Sequence, residues 1–332
     1  MHATGRASTA VPRRTGGPSG CGKLAAGILM IMMAGRMASA LAEQMQALGP
    51  EALAAVCAYY DYDPAVPLDA RIVERVDTES MRRDKIVYRG VRGFWVPAYL
   101  EVPRTSAPPY PCVVLLHGWS WSKECWYQDD NYVSGGNLRR ALLAAGFAVF
   151  ALDAQMHGDR IAENDYAVVN IWPGSGPAPQ RNYFTLAEVC EQTVRDCRRG
   201  LDYLEQRAEV DAGRLAAVGY SMGAWQVFPL AAVEPRIRAC VAAAVPTERR
   251  GYDPVAPHHY AAGIRQPFLI QLGRADEMVT APAGQRLYEL LASPLKRLTW
   301  YDGGHSLPVA YVADATAWLQ AHLDCRAGAE PR

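Results

Sequence analysis

Residues 215–233 read LAAVGYSMGAWQVFPLAAV, and this stretch decides the fold. Leu215 to Val218 are apolar without alternation, the pattern of a strand buried on both faces. Gly219-Tyr220-Ser221-Met222-Gly223 then matches G-x-S-x-G, a tight strand-to-helix turn that lifts a serine clear of a sheet. Glycine on either side lets neighbouring backbone pack closely in that turn. Ala224 to Val233 continue as a helix-forming run, which Pro229 is expected to kink. In a chain with 28 glycines the bare pentapeptide arises readily by chance. The strand before it and the helix after it give it weight, and Ser221 becomes the candidate nucleophile.

On either side of this stretch the same alternation repeats. Short apolar strands are expected at Ile86–Tyr88, Phe94–Val102, Cys112–Leu116, Ala148–Leu152, Leu215–Gly219, Ala239–Ala244, Phe268–Leu272 and Leu298–Tyr301. Helical periods fall at 43–60, 136–145, 185–207, 222–233, 281–292 and 308–323. Apolar strands separated by amphipathic helices indicate a mostly parallel central sheet of about eight strands, with helices on both faces. Residues 155–184 and 246–266 are longer than simple crossovers need. They are rich in Pro, Gly, His and aromatic residues, so they are expected to loop over one end of the sheet.

A serine hydroxyl attacks only when a base takes its proton. Of the seven histidines, His305 stands in Asp302-Gly303-Gly304-His305-Ser306, just past a strand, where its imidazole would reach the sheet edge from which Ser221 emerges. The imidazolium that forms needs a carboxylate. Asp276, after the strand Phe268–Leu272, completes the order Ser, Asp, His; Glu277 and Asp302 are competitors, although Asp302 sits close enough to His305 to shape its turn instead. The tetrahedral intermediate needs amide donors. Met222, next to the nucleophile, offers one. Trp119, in Leu115-Leu116-His117-Gly118-Trp119, offers the other, with His117 holding that loop. Trp119 and Trp121 either line an acyl pocket or pack beneath a lid. Trp121, Trp172 and Tyr220 are the expected substrate contacts, with Tyr183, His258, His259 and Tyr260 as further candidates.

Taken together, residues 86–325 resemble the α/β-hydrolase superfamily, on the branch with dienelactone-hydrolase-like, acetyl xylan esterase-like and prolyl-oligopeptidase-like enzymes. The motifs that carry the resemblance are Leu116-His117-Gly118, Asp153 through His157-Gly158-Asp159-Arg160, the serine pentapeptide, Gly273 to Val279, and Gly304-His305. The resemblance implies an eight-stranded α/β-hydrolase fold, a cofactor-free mechanism with Ser221, Asp276 and His305 as triad, and oxyanion donors at Trp119 and Met222. Asp153 and Gly158 match a loop whose role is structural. Dienelactone hydrolase itself uses cysteine where this chain has Ser221, so its substrate does not transfer. The expected reaction is cleavage of a carboxylic ester through an acyl-enzyme, on a small-molecule or polysaccharide-linked substrate. An aminopeptidase-like peptidase and a non-catalytic binding protein of the same fold are the alternatives.

Composition limits what else the chain does. Lys and Arg total 34, as do Asp and Glu. Five cations (Arg6, Arg13, Arg14, Lys23 and Arg36) fall in residues 1–42, which contain no acid. The remainder is thus mildly acidic, unlike a nucleic-acid-binding surface. Residues 1–42 have the layout of a secretory leader: a basic opening, a 12-residue apolar run from Leu24 to Gly35, and A-x-A sites at Ala38-Ser39-Ala40 and Ala40-Leu41-Ala42. The run is too short for a stable membrane span. A periplasmic or secreted protein is expected, or a cytoplasmic one if translation starts later. A linker segment (43–85), a catalytic domain (86–325) and a disordered tail (326–332) would follow. Cys57, Cys112, Cys125, Cys190, Cys197, Cys240 and Cys325 remain beyond the leader with no metal-binding spacing, so no metal is expected.

Overall fold

The computed structural model describes residues 42, 45–164, 184–247 and 254–323. The expected leader through Leu41, Trp172, Tyr183, Cys325 and the tail 326–332 lie outside the described residues. The strands are β1 (Arg71–Asp77), β2 (Met81–Arg89), β3 (Trp95–Pro103), β4 (Tyr110–Leu116), β5 (Ala148–Leu152), β6 (Val210–Tyr220), β7 (Ile237–Ala243), β8 (Phe268–Gly273) and β9 (Lys296–Tyr301). The helices are α1 (Pro50–Cys57), α2 (Gly135–Ala144), α3 (Arg160–Glu163), α4 (Leu186–Glu205), α5 (Met222–Val233), α6 (Pro257–Tyr260), α7 (Ala281–Leu290) and α8 (Ala310–Leu323).

One sheet holds all nine strands in the order β1-β2-β3-β5-β4-β6-β7-β8-β9. The first three pair antiparallel and β3 joins β5 antiparallel, while every pairing from β5 to β9 is parallel. The sheet therefore has one strand more than the eight expected. The addition is β1, an exposed edge strand of sequence RIVERVD whose charges hide it from a search for apolar runs.

Strand periodicity explains the layers. In β4, Cys112, Val114 and Leu116 face one apolar cluster with Val194 and Leu201 of α4 and Phe228 of α5. Val113 and Leu115 face the other, with Leu138 and Leu142 of α2 and Leu319 of α8. Alternate residues go to opposite faces, and both faces are covered, so the strand has to be apolar throughout. Each such side chain contributes about 1.5–3 kcal/mol on full burial. Helix α4 begins on a capping box, with Thr185 accepting from the Glu188 amide and the Glu188 carboxylate accepting from the Thr185 amide.

One expectation needs correction. Among the described residues, 45–49 are not helical, so the helix expected over 43–60 is limited there to Pro50–Cys57, continued by a 3-10 turn at Ala58–Tyr60. Helix α5 covers the expected 222–233 with Pro229 inside it, and ten of its residues, Met222 to Ala231, are buried. That burial outweighs the roughly 3 kcal/mol a proline costs in a helix interior.

The strand order also places the site. From β4 the chain crosses to β5 on one side, and from β6 it crosses to β7 on the other. The crevice between the carboxyl ends of β4 and β6 is thus the switch point where ligands bind in open α/β sheets. The register pairs Leu116 with Gly219 and Tyr220 with Ala243, so the loops after these strands emerge at one level.

Candidate active site

Ser221 sits in the sharp turn between β6 and α5 with φ 56° and ψ −116°, a conformation that L residues rarely adopt. Such strain costs of order 1–3 kcal/mol and persists where the surroundings enforce it. Here they do. A Cβ on Gly219 would stand 2.2 Å from the Gly223 carbonyl oxygen, and one on Gly223 would stand 1.9 Å from that of Leu116. Both glycines of the pentapeptide are therefore required by backbone contact. The Ser221 amide donates to the Ala243 carbonyl at 2.9 Å, fixing the turn to the neighbouring strand.

His305, in the loop after β9, brings Nε2 to 2.8 Å from the Ser221 hydroxyl oxygen. Its Nδ1 lies 2.9 Å from Asp276 Oδ2. With the Nδ1 proton held in a hydrogen bond to the Asp276 carboxylate, Nε2 is left to accept from the serine hydroxyl. Asp276 comes from the turn after β8 and its side chain is fully buried, while its other oxygen accepts from the Met278 amide at 2.8 Å. The competitors stand apart. The Asp302 side chain is 96 % exposed and paired with Arg274, and Glu277 is exposed.

Tyr220 departs from the expected role of substrate contact. Its ring is buried, its hydroxyl donates to the His305 carbonyl at 2.8 Å, and it accepts from the Leu307 amide at 2.8 Å. The residue before the nucleophile thus fastens the loop of the base, because β6 side chains alternate and Tyr220 points beneath that loop. Trp121 is half-buried with its ring 5.4 Å from that of Tyr132.

Met222 opens α5, where the first amides face no helical carbonyl. The Trp119 loop lies alongside, since Gly223 packs against the carbonyls of both Leu116 and His117. Two buried imidazoles hold that loop. His117 accepts from the Ala154 amide at Nε2 (2.9 Å) and donates from Nδ1 to Gly118 (2.7 Å). His157 accepts from the Ser120 amide (3.2 Å) and donates to Gln155 (2.7 Å). Burial pushes His117 down to about 4 and His157 to about 3, so both are neutral and neither serves as a base near neutral pH. Below them Asp153 accepts from the Lys123 amide and ammonium, each at 2.8 Å, and a side chain on Gly158 would collide with its carboxylate. Asp153 and Gly158 thus brace the segment that carries Lys123. The roles of His157, Lys123 and Tyr132 were not legible, because each depends on a partner from another loop.

A strained serine at the switch point of a mostly parallel sheet, met by a histidine and an acid from the last two strand ends, defines a protein of the α/β-hydrolase class. Residues 96–317 match the dienelactone hydrolase family, and the chain belongs to it. It is similar to the protein YtaP of Bacillus subtilis (strain 168), 24% identical over 149 residues. That match covers 44% of this chain and 46% of YtaP, so the chain spans about half the length of the curated relative it matches. Among solved structures it resembles acetyl xylan esterase 1 from Thermoanaerobacterium sp. JW/SL YS485, with a TM-score of 0.62 and 18% identity, covering 85% of this chain and 97% of that one. The acetyl xylan esterase from Paenibacillus sp. R4 gives a TM-score of 0.63 and 19% identity, covering 85% and 98%.

Proposed function

We propose that this protein is a serine hydrolase that cleaves a carboxylic ester through an acyl-enzyme. The observation that carries this reading is the continuous contact from Ser221 to His305 to buried Asp276. Ser221 attacks the carbonyl carbon while its proton passes to His305 Nε2, and the amides of Trp119 and Met222 take the oxyanion. His305 returns the proton to the leaving alcohol. It then takes one from water as the water oxygen attacks the acyl carbon, and passes it to Ser221 Oγ as the bond to that oxygen breaks and the acid leaves. Membership of a family named for a lactone hydrolase supports an ester, as do the names of the two acetyl xylan esterases of like fold. A small acyl group on a simple or saccharide-linked alcohol is the substrate class proposed. The leader-like residues 1–42 support export to the periplasm or beyond, which N-terminal sequencing of the mature protein would test.

The direct test is turnover of p-nitrophenyl acetate beside aminoacyl-p-nitroanilides, with fluorophosphonate labelling of the folded protein. Ester turnover and a label on Ser221, both lost in Ser221→Ala, are expected. Cleavage of the anilides alone would replace the ester reading with a peptidase. Absence of any label would leave a binding protein.

A further inference from the structure

One side chain stands among the reacting groups without a task in the mechanism above. Tyr132 precedes α2, and its ring lies nearly parallel to the His305 imidazole, with centroids 6.0 Å apart and planes 14° apart. It meets the Tyr220 ring edge-on at 5.4 Å, and its backbone carbonyl accepts from the Ser306 hydroxyl at 2.9 Å. The residue is thereby fastened to the loop that carries the base.

Its own hydroxyl reaches to Gly118. A Cβ on Gly118 would stand 1.8 Å from the phenol oxygen and 3.4 Å from the Cβ of Ser221. Gly118 has no left-handed φ to explain it, unlike Gly146 or Gly158. What excludes a side chain there is the Tyr132 hydroxyl, which occupies that space beside the nucleophile and one residue before the Trp119 amide. Among the described residues no group donates to this hydroxyl or accepts from it. Burial, with Cys125 and Tyr220 nearby, holds the phenol well above its usual range, so it keeps its proton. The hydroxyl is not sealed from solvent, so a substrate oxygen entering the cleft can replace water as its acceptor.

We propose that Tyr132 is a catalytic residue of the ester reaction described above, on which this inference rests, donating a hydrogen bond to the carbonyl oxygen as it becomes the oxyanion. It acts as a third donor beside the amides of Trp119 and Met222. No proton is transferred: the phenol stays intact while the oxygen gains and then loses its charge. Its place next to Gly118 puts it on the side of the amide donors, whereas the leaving oxygen is served by His305 Nε2.

Tyr132→Phe keeps the ring contacts and removes only the donor. With wild-type protein turning over esters, kcat/KM is expected to fall roughly ten- to a hundredfold. The fall should be equal for p-nitrophenyl acetate and ethyl acetate, with acylation and deacylation both slowed, since each passes through an oxyanion. Unaltered kcat/KM, or a loss confined to the poorer leaving group, would overturn the assignment while leaving the hydrolase reading intact. A wild-type protein that neither labels nor turns over removes both. Gly118→Ala provides a second variant: it should slow the wild type and cost less in the Tyr132→Phe background, where the nearest phenyl carbon is 3.1 Å from the added Cβ. Independent, additive losses would show that the hydroxyl does not fill that space.

Discussion

Asp276 and Asp302 both lie near His305 along the sequence or in chain order, and burial separates them. The Asp276 carboxylate is closed off from water and spans His305 Nδ1 and the Met278 amide. Asp302 points to solvent. Replacing Asp276 by Asn would present an amide to Nδ1 and favour the tautomer with its proton on Nε2, the wrong one for accepting from serine. A loss of about four orders of magnitude in kcat is expected, as in other Ser-His-Asp sites. Asp302→Asn should leave kcat/KM within about twofold, because an exposed ion pair contributes little. Parallel assays of the two variants decide the acid. At this scale the sequence was informative where chemistry dictates a local motif: Ser221 through its glycines, and His305 through its turn after a strand. It was silent on Tyr132, whose position next to Ser221 follows from a loop conformation that no spacing rule encodes.

At the scale of elements, legibility followed burial. Strands β4 to β8 are apolar because two helical layers cover them, so their sequences announce them. Strand β1 is an exposed edge that mixes charged and aliphatic side chains without alternation, which reads as neither a buried strand nor a helix. The connection between elements was less visible than the elements themselves. Tyr220 ends β6, yet its hydroxyl bridges the His305 carbonyl and the Leu307 amide in the loop after β9. Tyr220→Phe removes both bonds and leaves a buried amide without its acceptor, which costs about 1–3 kcal/mol. Thermal unfolding should show that loss of stability. Turnover should fall with KM nearly unchanged, because the loop that aims the imidazole loosens while the substrate cleft does not. Intact stability and kcat would mean that the loop is held by other contacts.

Across the whole molecule, the strand order brings loops from distant parts of the chain to one edge, and buried polar groups lock them there. Asp196 of α4 accepts from Arg160 at 2.7 Å and from the Val91 amide at 2.8 Å, tying the antiparallel strands to the parallel core. His117 and His157, with rings 5.4 Å apart, tie the loops after β4 and β5. Sequence periodicity located the strands but could not show that these two imidazoles would be sealed in contact, and that burial has a consequence for acid stability. Desolvation, chiefly, lowers His117 from its usual 6.5 to about 4 and His157 from 6.5 to about 3. The unfolded chain therefore binds protons at these sites that the folded chain refuses. Stability is unaffected by these groups above about pH 6.5 and declines as the pH falls from 6.5 to about 4 for His117 and to about 3 for His157, by on the order of 3 and 5 kcal/mol in all. Urea unfolding between pH 7 and pH 4 should show the midpoint dropping in the wild type. His157→Gln, whose side-chain oxygen can still accept from the Ser120 amide, should be less stable at pH 7 and show a shallower decline. His258, also pushed down to about 4 by burial, is present in both proteins, so the difference in slope reports His157 alone. Parallel declines would mean that His157 does not resist protonation in the folded state.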